Sequence, residues 1–317
     1  MVKIDLITGF LGSGKTTFIK KYAKYLMAQG MNIGILENDF GAVNVDMMLL
    51  KDLEGDQCEL EMVAGGCDAD CHRRRFKTKL IAMGMCGYDR VIVEPSGIFD
   101  VDEFFDALRE EPLDQWYEIG SVITIMNAKL EDILSEEAEY LLASEAANAG
   151  CVVLSRSQDA SPEEIAKTRA HLNCALQAVY CSRQFGDEII EKNWEDFTEQ
   201  DLERIQNSGY HVEDYTKLHF PEKEGFQSVC VMNQEMTRQE LKKKVQQLFA
   251  EASYGKVFRV KGFLELPDGN WMELNATRHE MTFTTCTEGQ KVVIVIGEKL
   301  NQPMIEEVLG GTAIQWH

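Results

Sequence analysis

The chain has 317 residues, 44% of them hydrophobic and 27% charged, with only 6 prolines. That composition excludes a largely disordered protein, and the length suits about two domains. A formal net charge of −21 argues against nucleic acid or an anionic membrane surface as the main partner, because so acidic a surface repels phosphate.

No apolar run reaches the roughly 18 residues that a membrane span needs. The first nine residues read as a strand, with Asp5 inside the apolar stretch and no cleavage site, which is not the pattern of a signal peptide. Nine cysteines at irregular spacing read as thiols of a reducing compartment, so a cytoplasmic location is expected. Along the chain, short apolar runs at 4–8, 33–37, 91–94, 122–126, 151–155 and 178–180 are each expected to be strands. Between the first two, Phe18, Tyr22, Tyr25 and Leu26 fall on one helix face. Strands that alternate with helices predict an α/β domain over residues 1–186, a mostly parallel sheet flanked by helices.

Residues 187–225 read as an acidic helical connector packed on that domain. Residues 187–224 carry 12 acidic and 4 basic side chains, with apolar anchors at Ile190, Trp194, Phe197, Leu202 and Ile205. A solvated outer face is the expected role of such a charge run, and docking of a basic partner is the alternative. Residues 226–317 predict a smaller α+β domain. Its expected strands are 226–232, 257–266, 271–275, 281–285 and 291–296, with a turn at 267–270 and helices at 237–253 and 301–309.

The strongest chemical signal is Gly9-Phe10-Leu11-Gly12-Ser13-Gly14-Lys15-Thr16-Thr17, which fits G-x-x-x-x-G-K-[ST] between a predicted strand and a predicted helix. Glycines let such a loop fold tightly, so that the amides of Gly12, Ser13, Gly14, Lys15, Thr16 and Thr17 turn toward phosphate oxygens at a helix N-terminus. Lys15 supplies a cation to the terminal phosphates, and the Thr16 hydroxyl is the expected Mg²⁺ ligand. A nucleoside triphosphate is the ligand this predicts. Phosphoryl transfer also needs a group that orients water and helps hold the metal. Glu37-Asn38-Asp39-Phe40-Gly41 and Glu94-Pro95-Ser96-Gly97 follow strands whose carboxyl ends converge on the ligand crevice. Asp39 and Glu94 are therefore candidate catalytic groups, with a turn or cap role as the alternative for each.

These motifs, together with Asp46 and Gly65-Gly66-Cys67, resemble those of the CobW-like P-loop GTPases, relatives of the accessory GTPases of urease and hydrogenase. Arg259-Val260-Lys261-Gly262-Phe263 and Val295-Ile296-Gly297 are similar to that family's C-terminal module. The resemblance implies slow GTP hydrolysis that drives delivery of a metal ion, or insertion of a metal cofactor, into a client metalloprotein or cofactor-dependent enzyme. It also implies that Asp39, where the family usually has Glu, senses the γ-phosphate. A homodimer is one assembly the sequence allows.

Two stretches depart from the family pattern. Its guanine-reading Asn-Lys-x-Asp is replaced by Ser155-Arg156-Ser157-Gln158, with Asp159 following. A neutral Gln forms a weaker pair with guanine than a carboxylate does. Ser155 and Arg156 are the expected base contacts, the Arg156 stem stacking, with GTP the expected substrate and ATP the alternative. The family's Cys-x-Cys-Cys is replaced by Cys67-Asp68-Ala69-Asp70-Cys71-His72. Cys67, Asp70, Cys71 and His72, with Glu37, form a substitute ligand set for Zn²⁺ or Co²⁺, since thiolate and imidazole suit such ions. The alternative is a solvated acidic loop with two ordinary thiols. Two further functional classes stay open: a nucleotide-binding regulator with little catalysis, and a small-molecule kinase built on the same loop.

Overall fold

The computed structural model describes residues 1–10, 12–39, 45–64, 69–95, 101–130, 134–218, 226–266, 268–278, 280–286 and 289–314; of residues 39, 45, 46, 64, 69, 70, 103, 226 and 312–314 it describes the backbone alone. The chain forms two compact units, Met1–Leu218 and His219–His317. No helix among the described residues is long and apolar enough to cross a membrane.

The first unit runs β1 (Val2–Thr8), α1 (Lys15–Ala28), β2 (Ile33–Asp39), α2 (Val45–Leu50), β3 (Cys58–Ala64), α3 (Ala69–Gly84), β4 (Arg90–Pro95), α4 (Val101–Arg109), α5 (Leu113–Trp116), β5 (Tyr117–Asn127), α6 (Glu136–Ala147), β6 (Cys151–Ser155), α7 (Pro162–Ala178), β7 (Ile189–Ile190) and α8 (Glu199–Gln206). Its seven strands lie in the order β3-β2-β4-β1-β5-β6-β7, and every pairing is parallel. A parallel sheet needs cover on both faces, and its strands alternate between two cores accordingly. Ile35, Ile92 and Ile7 pack under α1 with Phe18, Ile19 and Tyr22. Their neighbours Leu36, Val93 and Leu6 face the other way, against Phe76 and Leu80 of α3, Phe104 of α4 and Leu142 of α6.

One buried polar cluster interrupts the core under α1. Asp5 is fully buried. Its carboxylate accepts from Arg90 Nη1 at 2.7 and 2.6 Å, from Tyr22 Oη at 2.8 Å and from the Ser121 amide at 2.8 Å. Buried charge persists where donors surround it in this way.

Two elements differ from the sequence expectation. Residues 178–180 are not a strand. The capping box of Ser161 and Glu164, with Pro162 at the first helical position, starts a helix that runs to Ala178, and Tyr180 follows at φ 60°. The sheet's last strand is instead Ile189–Ile190. β3 carries no expected strand, because Glu59 and Glu61 break its apolar run; they sit at the sheet edge, where Glu59 accepts from Tyr88 Oη and Glu61 pairs with Lys79. Acids are a common feature of edge strands.

Residues 187–218 fold with the first unit. Leu202 and Ile205 join the core under α1. The Val122 amide donates to the Gly209 carbonyl at 3.0 Å, and the His211 amide to the Asn148 carbonyl at 2.9 Å.

The second unit comprises β8 (Phe226–Met232), α9 (Arg238–Ala250), β9 (Lys256–Glu265), β10 (Trp271–Thr277), β11 (Met281–Cys286), β12 (Val292–Glu298), α10 (Gln302–Leu309) and β13 (Thr312–Ile314). Its six strands are antiparallel, in the order β11-β10-β9-β12-β8-β13. Leu241, Val245 and Leu248 of α9 and Ile305 and Leu309 of α10 share a core with Val231, Val260, Leu274 and Val295. The three-residue β13, which pairs with β8, is too short to show as an apolar run.

Candidate functional site

Residues 9–14 leave the carboxyl end of β1, which lies between β4 and β5. Gly9, Gly12 and Gly14 have φ of 138°, 83° and 103°, values that a side-chain-bearing residue rarely adopts. A Cβ at Gly9 would sit 2.1 Å from the Ile125 carbonyl oxygen, and one at Gly14 would meet Trp194 Cη2 at 3.3 Å. The loop closes on itself as the Ser13 amide donates to the Phe10 carbonyl at 3.0 Å. Lys15 folds back across it, and Nζ donates to the Gly9 carbonyl at 2.8 Å. Gly14 caps α1 without a side-chain bond, and no acid occupies the first turn. The positive dipole end of the helix thus meets no acidic side chain of its own first turn, an arrangement that suits an anion.

Thr16 and Glu94 meet beside this loop, with Thr16 Oγ1 donating to Glu94 Oε1 at 3.3 Å. Glu37 stands opposite Glu94 in the register of β2 and β4. Glu37 continues the Ile33–Ile35 side of its strand and Glu94 the Ile92 side, so both acids face α1. Both are buried. Hydroxyl and carboxylate oxygens together suit a hard cation such as Mg²⁺. Thr17 is exposed on α1, and Ser13 is buried with no hydrogen bond to its Oγ. Asp39 ends β2 opposite Ala64.

Asn38, between Glu37 and Asp39, points to the opposite face of the sheet. There the buried His72 donates from Nε2 to Asn38 Oδ1 at 2.6 Å. His72 heads the stripe of α3 that continues through Phe76, Leu80 and Met83 into the core. Cys71 is half-buried and forms no disulfide. The structure therefore separates two members of the expected zinc set, placing Glu37 on the α1 side and His72 on the α3 side. Cys67 lies outside the described residues. Among the described residues, no group of three or more His, Cys, Asp or Glu could hold a metal ion.

At the end of β6, Ser155 is buried and Oγ donates to the Met126 carbonyl at 3.4 Å. Arg156 takes a left-handed conformation, φ 56°, and Nη1 donates to the Gly12 carbonyl at 3.2 Å. Ser155 and Arg156 thus abut the phosphate loop, whereas Gln158 and Asp159 are exposed and bonded to each other.

Two residues at this site have no role in the sequence expectation. Trp194 donates from Nε1 to the Leu154 carbonyl at 2.8 Å and meets Phe18 edge-on, ring centroids 5.6 Å apart. Its sequence signal is that of an ordinary apolar anchor. Glu145 is 3% exposed on α6. Burial pushes its carboxyl up to about 7, against the downward pull of Lys15. Its sequence signal is one acid within Leu141-Leu142-Ala143-Ser144-Glu145-Ala146-Ala147, a stretch too small and apolar to present a solvated face.

A parallel sheet whose first strand is central and ends in a glycine loop, with a lysine opening the following helix, defines the P-loop nucleoside-triphosphatase fold. The profile of the CobW/HypB/UreG nucleotide-binding domain matches residues 3–180, and that of the cobalamin synthesis protein cobW C-terminal domain matches residues 226–313. The chain belongs to the CobW/HypB/UreG family.

Among curated proteins, the zinc chaperone YeiR of Escherichia coli (strain K12) is 29% identical over 169 residues, 51% of this chain and 49% of that protein. The zinc-regulated GTPase metalloprotein activator 1 of Schizosaccharomyces pombe is 23% identical over 201 residues, 60% of this chain and 48% of that protein. The chain thus spans about half the length of these relatives. Among solved structures, the Zn(II)-bound YjiA GTPase from E. coli covers 98% of each chain at 19% identity, with a TM-score of 0.41. The hydrogenase maturation factor HypB from Archaeoglobus fulgidus covers 64% of this chain and 86% of its own, at 16% identity and a TM-score of 0.40.

Proposed function

We propose that the chain binds a nucleoside triphosphate with Mg²⁺ at residues 9–17, hydrolyses it slowly, and uses the nucleotide state to pass a metal ion to a client metalloprotein. The observation that carries this reading is the loop itself. Three left-handed glycines, a helix start without a side-chain cap and a lysine folded over the Gly9 carbonyl are the features of a loop that binds phosphate. Lys15 would trade the Gly9 carbonyl for phosphate oxygens. Thr16 and Glu94, with Glu37 beside them, would hold Mg²⁺, which supplies charge neutralisation at the β- and γ-phosphates. Asp39 ends the strand that leads into the loop after β2 and takes the γ-phosphate-sensing role.

Zinc is the proposed cargo, since relatives of this chain are named zinc chaperones. Cys67, Asp70 and Cys71 are its proposed ligands. His72 belongs with Asn38 as the support behind them. Residues 1–186 are proposed as the nucleotide domain, 187–225 as the acidic connector and 226–317 as the C-terminal module. The free thiols among the described residues support a reducing, cytoplasmic setting.

The test is phosphate release with GTP and Mg²⁺. Turnover should require Mg²⁺ and vanish in Lys15→Ala; full turnover in that variant refutes the reading. Equilibrium dialysis with Zn²⁺, with and without nucleotide, should show affinity that depends on nucleotide and falls in Cys71→Ser. A second reading, relaxed base choice that admits ATP, is favoured by the 155–159 loop, where Ser155 is turned to Met126 and Gln158 replaces a carboxylate. Calorimetry with GTP and ATP analogues separates the two, since a guanine-selective site binds the GTP analogue at least about tenfold tighter.

A further inference from the structure

β7 pairs with β6 only as far as Val153, opposite Ile190. One residue further on, the Leu154 carbonyl accepts from two side chains, Trp194 Nε1 at 2.8 Å and Ser157 Oγ at 3.1 Å. The indole thus takes over where the ladder stops, at the point where β6 turns into residues 155–159. The far edge of the ring lies against the phosphate loop. A Cβ on Gly14 would stand 3.3 Å from Trp194 Cη2 and 3.7 Å from Ser155 Cβ, so indole and serine together cover that glycine. Phe18, in the first turn of α1, meets the ring edge-on.

The backbone that carries Trp194 is itself fixed. Asn193 Oδ1 accepts from the Glu195 amide at 3.3 Å, and the Phe197 amide donates to the Trp194 carbonyl at 3.3 Å. Lys192 and Asp201 pair across this turn at 2.6 Å, and Leu202 and Ile205 of α8 sit in the core under α1. The turn after β6 is tied to the phosphate loop a second time, by Arg156 Nη1 on the Gly12 carbonyl at 3.2 Å. Gly12 and Gly14 are each held by one of these two fastenings.

We propose that Trp194 is a positioning residue that fixes the spacing between the turn at 155–159 and the phosphate loop, so that the purine and the triphosphate of one nucleotide are bound as a unit. The proposal rests on residues 9–17 being a triphosphate site with the base at 155–159. A nucleoside triphosphate spans both half-sites. Binding at one half raises the effective concentration at the other only while the distance between them matches the ligand. Trp194 acts through the Leu154 carbonyl and Gly14 rather than on the nucleotide. Without the indole, the turn keeps its Arg156 bond but loses the support that sets its height above Gly14.

The experiment is calorimetry on the whole chain with a non-hydrolysable GTP analogue and with inorganic tripolyphosphate, each with saturating Mg²⁺, the second also by displacement of the first. Trp194→Leu should weaken the GTP analogue about tenfold and leave tripolyphosphate within about twofold of wild type, because a ligand of the loop alone does not read the spacing. Trp194→Phe keeps a ring beside Gly14 and loses the Leu154 bond, and should weaken the GTP analogue about threefold. A general loss of fold would weaken both ligands alike. Equal weakening of both ligands, or no change in either, overturns the proposal and leaves the triphosphate reading standing. Tripolyphosphate that does not bind wild type overturns it too, since the loop is then no half-site of its own. A wild type that binds neither ligand overturns both readings. If Trp194→Leu does not fold, Trp194→Phe decides by the same comparison.

Discussion

Replacing Asp5 with alanine removes the acceptor shared by Arg90, Tyr22 and the Ser121 amide. Four contacts of 2.6–2.8 Å disappear, and the Arg90 guanidinium, 4% exposed, is left in the core without its counter-ion. Breaking a buried pair from one side costs about 3–5 kcal/mol, a large share of the roughly 5–15 kcal/mol that holds a domain folded. Urea denaturation followed by tryptophan emission measures it, since Trp116 and Trp194 both report on the first unit. The midpoint should fall with the slope unchanged. Adding Arg90→Met removes the stranded charge and should restore at least about 1 kcal/mol, a coupling that neighbouring but independent sites do not show. A loss under about 1 kcal/mol for Asp5→Ala, or a double variant no better than the single, refutes this account of the cluster.

Gly14→Ala forces a Cβ into a left-handed position against Trp194; it should cost about 1–3 kcal/mol and weaken triphosphate binding, as read by calorimetry. Trp194→Phe removes the bond to the Leu154 carbonyl, a loss of about 1 kcal/mol in urea denaturation, and should abolish any change in tryptophan emission on nucleotide addition. Lys192, with the Thr198 amide and hydroxyl, holds the Asp201 carboxyl at about 2, below its ordinary 3.8. Its contribution is therefore complete above the unfolded value and fades as pH drops toward the folded one. The stability gap between wild type and Asp201→Asn should be full at pH 6 and close as pH falls through about 4 toward 2; a gap that widens with acid refutes the sign.

The glycine loop, its helix and five of the strands of its sheet are written in local pattern, because glycine spacing, apolar runs and helical periodicity are short-range signals. β3 is not, since its exposed edge tolerates acids that mask an apolar run. Residues 178–180 misled because three apolar letters suit the end of α7 as well as they suit a strand. The site shows the same divide. Gly9 to Thr16 announce themselves, whereas the Thr16–Glu94 bond, the opposed faces of Glu37 and His72, and the burial of Glu145 depend on which face each strand and helix presents. That is fixed by packing across some 34 to 137 positions of chain. Trp194 is marked in the sequence only as an apolar anchor, because its partners at the site, Gly14, Phe18 and Leu154, lie far away along the chain.

The distribution of the core also sets where the polypeptide can be cut. The family's nucleotide-binding profile stops at residue 180, yet Ile189, Ile190, Leu202 and Ile205 fill both interior layers, and Gly209 and His211 complete backbone bonds to Val122 and Asn148. A fragment trimmed to the profile would bare those apolar surfaces and strip Trp194 from Gly14. Ending it instead at Leu218 retains every one of these partners, and that is the piece to express when the P-loop half is wanted by itself.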